Sequence, residues 1–255
     1  TAASNSYGTV AAGAIANGDG WFRFSTPYTA ADQREIPFTL TVTGRAPVFT
    51  SGSVVNAASF RFGMVPGGLA SLFGAGLSEI SGLQEPGGAT THRGVSVTVA
   101  GRLAPLFAIR NEGGQEQINF QVPTDVSPGT ARVEVNNNGS VTAVDGVPVL
   151  RAQPGIFEYT PAGSSTRYAV AVKLDGSVIG PNNPAVRGSA VLLFLTAMGP
   201  TVPALATGQA GPTPPAVTAS PAVVGLNNRG VEVLFSGLTP GFVALNQINI
   251  LIPED

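Results

Sequence analysis

The chain contains no cysteine, a single histidine, a single lysine and few charged residues of either sign. Without cysteine it can form neither disulfide bonds nor a cysteine-based metal site. Thirteen basic and fifteen acidic residues give a net charge of −2, which excludes the basic footprint of a nucleic-acid-binding protein. The longest apolar run, around residues 191–195, is far shorter than the roughly 20 residues of a transmembrane helix. We therefore expect neither a nucleic-acid partner nor membrane insertion.

No group of residues predicts a catalytic, cofactor-binding or metal-binding site. His92 follows a glycine-containing turn, and because no Gly-x-Ser-x-Gly motif accompanies it, we interpret it as an exposed loop residue. Residues 17–20 read NGDG but lack the spaced carboxylates and the terminal glutamate of a calcium loop. The single lysine, Lys173, allows at most one spontaneous Lys–Asn isopeptide bond. We expect a protein that is not an enzyme and that carries no cofactor.

A few side chains could contact a ligand or carry a modification. Asn138 begins an Asn-Gly-Ser sequon and is a possible glycosylation site, although an Asn-Gly hairpin turn explains the same residues. Trp21 and Tyr28 lie in an N-terminal segment where a partner could touch them. Nine phenylalanines occupy strand-like or loop-anchor positions, and we interpret them as core residues rather than a sugar-binding platform: Phe60, Phe62, Phe73, Phe107, Phe120, Phe157, Phe194, Phe235 and Phe242.

The sequence alternates apolar and polar residues in short runs, which predicts an all-β protein. Residues 38–43 (FTLTVT) and 95–99 (VSVTV) show the pattern, and turn signals rich in glycine and proline separate such runs. The 33 glycines and 21 prolines disfavour long helices. Many short strands at this spacing indicate antiparallel β-sandwiches of Ig-like type. The proline-rich stretch 200–221 is interpreted as a long loop.

A seven-residue motif occurs twice, 130 positions apart: residues 117–123 read QINFQVP and residues 247–253 read QINILIP. The repeat predicts two related Ig-like domains of about 100 residues, at 46–150 and 151–255. Two further blocks recur in the same order: residues 68–74 resemble 188–194, and residues 94–107 resemble 230–242.

The two copies of the motif continue differently. A turn and the strand-like residues 131–135 follow the first copy, whereas only Glu254 and Asp255 follow the second. We therefore expect the second domain to lack a final strand, and we expect its last strand, with Ile248, Ile250 and Ile252, to be an open acceptor edge. An open sheet edge is a template for pairing with another chain.

Residues 1–45 belong to neither copy of the repeat. Residues 21–24 and 37–43 look like two strands, and two strands alone are only marginally stable in water. The segment 35–43 is the candidate donor for the open edge. Its apolar side chains alternate with threonine and would all enter the core on one face: Ile36, Phe38, Leu40 and Val42.

Eight blocks occur in order along the chain: residues 56–60 (NAASF), 66–74 (PGGLASLFG), 94–99 (GVSVTV), 104–107 (APLF), 117–123, 154–157 (PGIF), 183–185 (NPA) and 237–243 (GLTPGFV). With these blocks the chain resembles a known family, the uncharacterised C-terminal domain of secreted acidobacterial (Solibacter-type) proteins. The resemblance covers roughly residues 50–253, and each half also resembles an Ig-like TIG/IPT sandwich. It implies export and an extracellular or cell-surface location, and it implies no catalytic residues.

The sequence leaves three hypotheses about function open. The first is an extracellular fibre or surface-layer subunit, a homopolymer in which one molecule donates a β-strand to the next. The second is a cell-surface adhesin or glycan-binding module that displays loops 78–93 and 200–221. The third is the non-catalytic C-terminal region of a larger secreted protein.

Overall fold

The computed structural model describes residues 44–254, and this part of the chain is all-β, as the alternation predicts. Residues 1–43, with the candidate donor segment and its side chains Ile36, Phe38, Leu40 and Val42, lie outside the described residues. Among the described residues, no sheet combines strands from both sides of Leu150. We refer to residues 46–150 as the first unit and to residues 151–254 as the second unit.

The first unit consists of nine strands and one short 3₁₀ helix, Ser51–Ser53, which precedes them. In chain order the strands are β1 (Val54–Asn56), β2 (Leu69–Gly74), β3 (Gly82–Gln84), β4 (Val95–Val99), β5 (Arg102–Leu103), β6 (Leu106–Glu112), β7 (Gln115–Gln121), β8 (Gly129–Asn137) and β9 (Ser140–Val149).

Two antiparallel sheets of the first unit form a sandwich. Their strand orders are β1-β2-β7-β6-β3 and β5-β4-β8-β9. The alternation places Ile118 and Phe120 of β7 opposite Val97 of β4 and Val133 of β8 in a single core, and all four side chains are fully buried. Both sheets therefore have one apolar face covered by the other, as a sandwich requires.

The second unit has eleven shorter strands. In chain order they are β10 (Gly155–Ile156), β11 (Glu158–Tyr159), β12 (Tyr168–Ala169), β13 (Ala171–Lys173), β14 (Ala190–Thr196), β15 (Thr201–Val202), β16 (Val217–Thr218), β17 (Val224–Leu226), β18 (Arg229–Val231), β19 (Val233–Leu238) and β20 (Asn246–Leu251).

One seven-stranded sheet dominates the second unit, and only two hairpins accompany it. The sheet has the order β10-β14-β20-β19-β16-β15, with β13 also paired to β14, and the hairpins are β11–β12 and β17–β18. The proline-rich stretch 200–221, predicted to be a loop, contributes β15 and β16 to the edge of this sheet.

The second copy of the repeated motif forms a central strand, which corrects the predicted position of the acceptor edge. β20 pairs with β14 on one side and with β19 on the other, so Ile248 and Ile250 do not lie on a free edge. Their side chains are buried in the core of the second unit, and Ile252, just beyond β20, is partly buried against it. Strand order within a sheet is a tertiary property, which the alternation of one strand cannot reveal.

The phenylalanine interpretation is correct for Phe120 and wrong for three of the nine residues. Phe120 is fully buried, whereas Phe60, Phe62 and Phe242 are 55%, 47% and 57% exposed. His92, expected in an exposed loop, is half-buried next to β4, where its backbone pairs with Val95.

The two units contact each other through specific hydrogen bonds. The Thr196 hydroxyl of β14 accepts a bond from the Leu69 amide of β2 at 2.9 Å, and the Gln121 side chain accepts one from the Gly208 amide at 2.7 Å. The backbone of Gly68 approaches Ala197 so closely that an added Cβ would lie 2.9 Å from the Ala197 methyl group. These contacts show that the first unit faces the second with the side where β7 ends, at Gln121.

The equivalent isoleucines of the two motif copies provide a test of core completeness. Ile118→Ala should lower the free energy of unfolding of the first unit by roughly 3–5 kcal/mol, because it leaves a cavity in a filled core. Ile248→Ala should lower the free energy of unfolding of the second unit by only about 2 kcal/mol, at the low end for a buried isoleucine, because its surroundings can relax more easily. Native-state hydrogen exchange, evaluated separately in each unit, measures both losses of unfolding free energy. Equal losses would contradict the conclusion that the core of the first unit is more completely filled than that of the second.

Candidate strand-acceptor site

The hairpin β17–β18 of the second unit is the counterpart of the hairpin β4–β5 of the first. Both precede the strand that pairs with the motif strand, and both close with a two-residue turn. Ala100 and Gly101 have φ values of +48° and +79°, and Asn227 and Asn228 have φ values of +51° and +62°. Two consecutive positive φ values define the type I′ turn that is favoured in tight hairpins. The shared turn therefore aligns β17 with β4 residue by residue.

The aligned strands differ in their neighbours. In the first unit β4 lies between β5 and β8, and its Val97 is opposite Val135. In the second unit β17 pairs with β18, and no strand among residues 44–254 occupies the position of β8. Within the described part of the chain, the open edge is therefore at β17 rather than at β20.

The backbone groups of Val223 and Gly225 point towards this open edge. In a hairpin with a two-residue turn, the residues that flank the turn bond to each other, and every second residue faces the other way. Leu226 and Arg229 flank the turn, so Leu226 and Val224 bond to β18 while Gly225 and Val223 face outwards. The corresponding residues of β4, Ser96 and Thr98, are bonded to β8.

The inward side chains near β17 are less well covered than their counterparts. Val95, Val97 and Val99 of β4 are fully buried. Ala222 and Val224, which align with Val95 and Val97, are only partly buried. The next inward residue, Leu226, is 39% exposed, as expected for a core that lacks a neighbouring strand.

The core of the second unit, like the surroundings of β17, is less completely buried than its counterpart in the first unit. Twenty-two buried apolar residues form the core of the first unit, and β8 alone contributes Ala131, Val133 and Val135. The described core of the second unit has five buried residues, with other apolar side chains packed against it only partly buried. The five are Ala171, Val191, Leu195, Ile248 and Ile250. A strand in the position of β8 would supply the missing side chains.

The described chain begins at the end of the first unit that faces away from the second. The Gly44 amide donates to the Asn138 carbonyl at 3.2 Å, and the Ser140 hydroxyl donates to the Gly44 carbonyl at 2.6 Å. Arg45 forms an ion pair with Glu116 at 2.8 Å, and its hydrogen bond to Glu116 raises the pKa of Arg45. The first residues of the described chain are therefore anchored at the far end of β7 and β8.

The position of Asn138 agrees with a hairpin turn. Asn138 and Gly139 have φ values of +49° and +88° and connect β8 to β9. The Asn138 side-chain amide donates to the Asn137 carboxamide oxygen at 3.0 Å, and the Gly94 backbone packs against the same side chain. Its side-chain nitrogen, the atom a glycan would modify, is thus already engaged.

A cleft of about 590 Å³ lies between the two units. Gln121 and Asn246 line it, but their side chains already bond to the backbone around them, at Gly67 and Gly208 and at Gly237 and Met198. These amides stabilise the junction rather than offering unused groups to a ligand.

Within residues 44–254, no helix is long and apolar enough to cross a membrane, and no three His, Asp or Glu side chains come together as a metal site.

Hydrogen exchange tests the open edge directly. In the chain without residues 1–43, the amides of Val223 and Gly225 should exchange at least 100-fold faster than those of Ser96 and Thr98, because only the latter are bonded to a neighbouring strand. NMR-detected exchange of the four amides measures the ratio. Comparable protection at both pairs would mean that another part of the second unit covers β17.

The chain matches no protein-family model and no curated protein. Among solved structures it resembles the SGBP-B protein of the mixed-linkage glucan utilization locus of Bacteroides ovatus, solved in complex with a mixed-linkage heptasaccharide, with 14% identity and a TM-score of 0.24. The match covers 68% of this chain, which spans 44% of the length of that protein. Resemblance this weak assigns neither a family nor a function to the chain.

Proposed function

We propose that the protein is a structural subunit that assembles head-to-tail, with residues 35–43 of one molecule filling the strand position beside β17 of the next. The observation that carries this proposal is the unoccupied counterpart of β8 in the second unit, next to a core that is only partly covered. We further propose an extracellular or cell-surface location, in keeping with the resemblance to secreted acidobacterial domains.

The donor segment has the pattern that the position requires. In β8, Ala131, Val133 and Val135 point into the core while Arg132 and Glu134 face outwards. Residues 35–43 repeat this alternation with larger apolar side chains, and the outward positions carry Glu35, Pro37 and then three threonines. The larger side chains suit a core that has more space to fill, and threonine is favoured in strands. The apolar residues are Ile36, Phe38, Leu40 and Val42.

The position of Gly44 supports donation to another molecule rather than to the same one. β8 spans nine residues, about 27 Å, between Pro128 beside the inter-unit cleft and the turn that anchors Gly44. Val42 is two residues from Gly44 and can lie at most about 7 Å from it. It therefore cannot enter the second unit of its own molecule.

The resulting contact between two molecules would be stable, and it would repeat from one molecule to the next. Each buried apolar side chain contributes about 1.5–3 kcal/mol, and four of them would enter one core. The donor and the acceptor are different surfaces, so the contact is heterologous and builds an open filament unless its rotation closes a ring. No disulfide or metal is required for such a joint.

Disulfide trapping tests the contact between the donor segment and β17. Because the chain has no native cysteine, only the introduced cysteines can form a disulfide. We expect a Thr41→Cys or Thr39→Cys protein, mixed under oxidising conditions with a Val223→Cys or Gly225→Cys protein, to form disulfide-linked heterodimers. Opposite Cα atoms in a sheet are about 5.5 Å apart, within the range that a disulfide spans. Non-reducing electrophoresis and mass spectrometry identify the products.

The matched control replaces the acceptor cysteine by Ser96→Cys, the equivalent position on β4, where β8 already occupies the edge. Disulfides between positions 39 and 225 and between positions 41 and 223 indicate that the donor strand runs antiparallel to β17. Disulfides between positions 39 and 223 and between positions 41 and 225 indicate a parallel donor strand. Equal yields at Ser96→Cys and Val223→Cys, or no heterodimer with either acceptor, would exclude donation to β17.

A charge placed on either face of the donor tests its burial. Leu40→Asp should abolish polymers, because a carboxylate would have to enter an apolar core without a partner. Thr41→Glu should still polymerise, because the outward face of β8 carries Glu134 at a comparable site. Negative-stain electron microscopy and light scattering report the assembly state. Polymers formed by Leu40→Asp, or no polymers of the unmodified chain, would refute the proposed function.

A further inference from the structure

Two sequence blocks that the assembly does not use, NAASF at 56–60 and PGIF at 154–157, meet in space. The Asn56 side chain accepts hydrogen bonds from the Ala58 and Ser59 amides, both at 2.9 Å, and donates to the Gln153 carbonyl at 2.8 Å. Gly155 lies against Asn56 so closely that a Cβ there would overlap its carboxamide. Asn56 thus holds the turn that follows β1 against the start of the second unit.

This turn holds Phe60 in a conformation that phenylalanine avoids. Its φ is +54°, a left-handed value that is a rare outlier for a bulky residue, and its amide is fixed to the Asn56 carbonyl at 3.0 Å. The ring is not buried in return: it is 55% exposed and contacts Phe73 at a centroid distance of 6.2 Å. Strain without burial is typical of functional sites. The turn therefore presents an aromatic face to solvent.

Phe60 forms one wall of a groove of about 230 Å³ whose other wall belongs to the second unit. Phe157 and Tyr159 line the second wall, and the Tyr159 ring packs on Tyr168 at 6.2 Å. The Tyr159 hydroxyl donates to the Ile179 carbonyl at 2.7 Å, so the ring rather than the hydroxyl is available to a ligand. The groove therefore has aromatic groups on both sides.

Charged groups lie at the rim of the same groove. Glu158 and Arg167 both line it and form an ion pair at 3.5 Å, with their side chains 51% and 73% exposed. An exposed pair of this kind contributes little to stability. It presents a carboxylate acceptor and a planar set of donors beside the aromatic rings.

We propose that this groove binds one sugar ring of a glycan. A pyranose has apolar C–H faces that pack on aromatic rings, and it has equatorial hydroxyls that a carboxylate and a guanidinium bind in pairs. The groove combines aromatic rings with a carboxylate and a guanidinium, and its volume suits one sugar ring rather than several linked rings. The site is independent of β17 and of the donor segment, so it does not rest on the proposed assembly.

Isothermal titration of the full chain with β-1,4-linked hexaoses of glucose, xylose, mannose and N-acetylglucosamine, and with maltohexaose, tests the site. We expect at least one of them to bind, and we expect Phe60→Asn to weaken that binding at least tenfold. Asparagine tolerates a positive φ, so this variant removes the ring without adding strain to the turn. Glu158→Gln should weaken the same complex by roughly three- to tenfold, because a neutral acceptor forms weaker hydrogen bonds than a carboxylate.

The matched control is Phe242→Asn, which removes a ring of similar exposure (57%) that does not line the groove. It should bind the hexaose as the unmodified chain does. Far-UV circular dichroism of each variant checks that the fold is retained. No binding by any hexaose, or equal loss of binding in Phe60→Asn and Phe242→Asn, would overturn the proposal. Neither outcome would affect the disulfide test of strand donation.

Discussion

A β-sheet with one apolar face is stable only when a second layer covers that face and when its exposed strand edges find hydrogen-bond partners. The first unit satisfies both requirements internally, since its four-stranded sheet covers its five-stranded one. In the second unit, the described residues provide a seven-stranded sheet and, at the corresponding position, only the hairpin β17–β18. The uncovered part of that core is the feature from which the proposed assembly follows.

The two units follow each other in the same orientation, and this orientation gives the molecule distinct ends. β7 reaches the junction with its last residue, Gln121, whereas β20 starts there with Asn246. Gly44 leaves from the opposite end of the first unit. In the proposed assembly, a strand attached at that end would reach the second unit of a neighbour but not that of its own molecule, and the neighbour would have its own strand to donate. Polarity of this kind distinguishes a chain of subunits from a closed dimer.

Much of the fold was accessible from the sequence because it is encoded locally. Alternation identified the motif strands, and the Asn138-Gly139 pair identified the turn between β8 and β9. The location of the open edge was not accessible, because β20 lies between β14 and β19 through contacts that are remote in sequence. The sequence repeat pairs residues 94–99 with residues 230–235, whereas the shared turns of the structure align β4 with β17. The two Asn residues at 227 and 228 were the signal that could have shown it.

The groove escaped sequence reasoning for a related reason. A phenylalanine next to a strand is normally a core residue. Here the Asn56 side chain accepts hydrogen bonds from the Ala58 and Ser59 amides, and Phe60, at the end of the turn that these bonds form, has a positive φ and an exposed ring. A site that holds a single sugar ring binds weakly by itself, but a head-to-tail polymer would repeat it once per subunit. Multiple weak sites on one filament bind a polymeric glycan far more tightly than a single site does. Assembly and glycan binding, which would use separate parts of the molecule, would therefore reinforce each other.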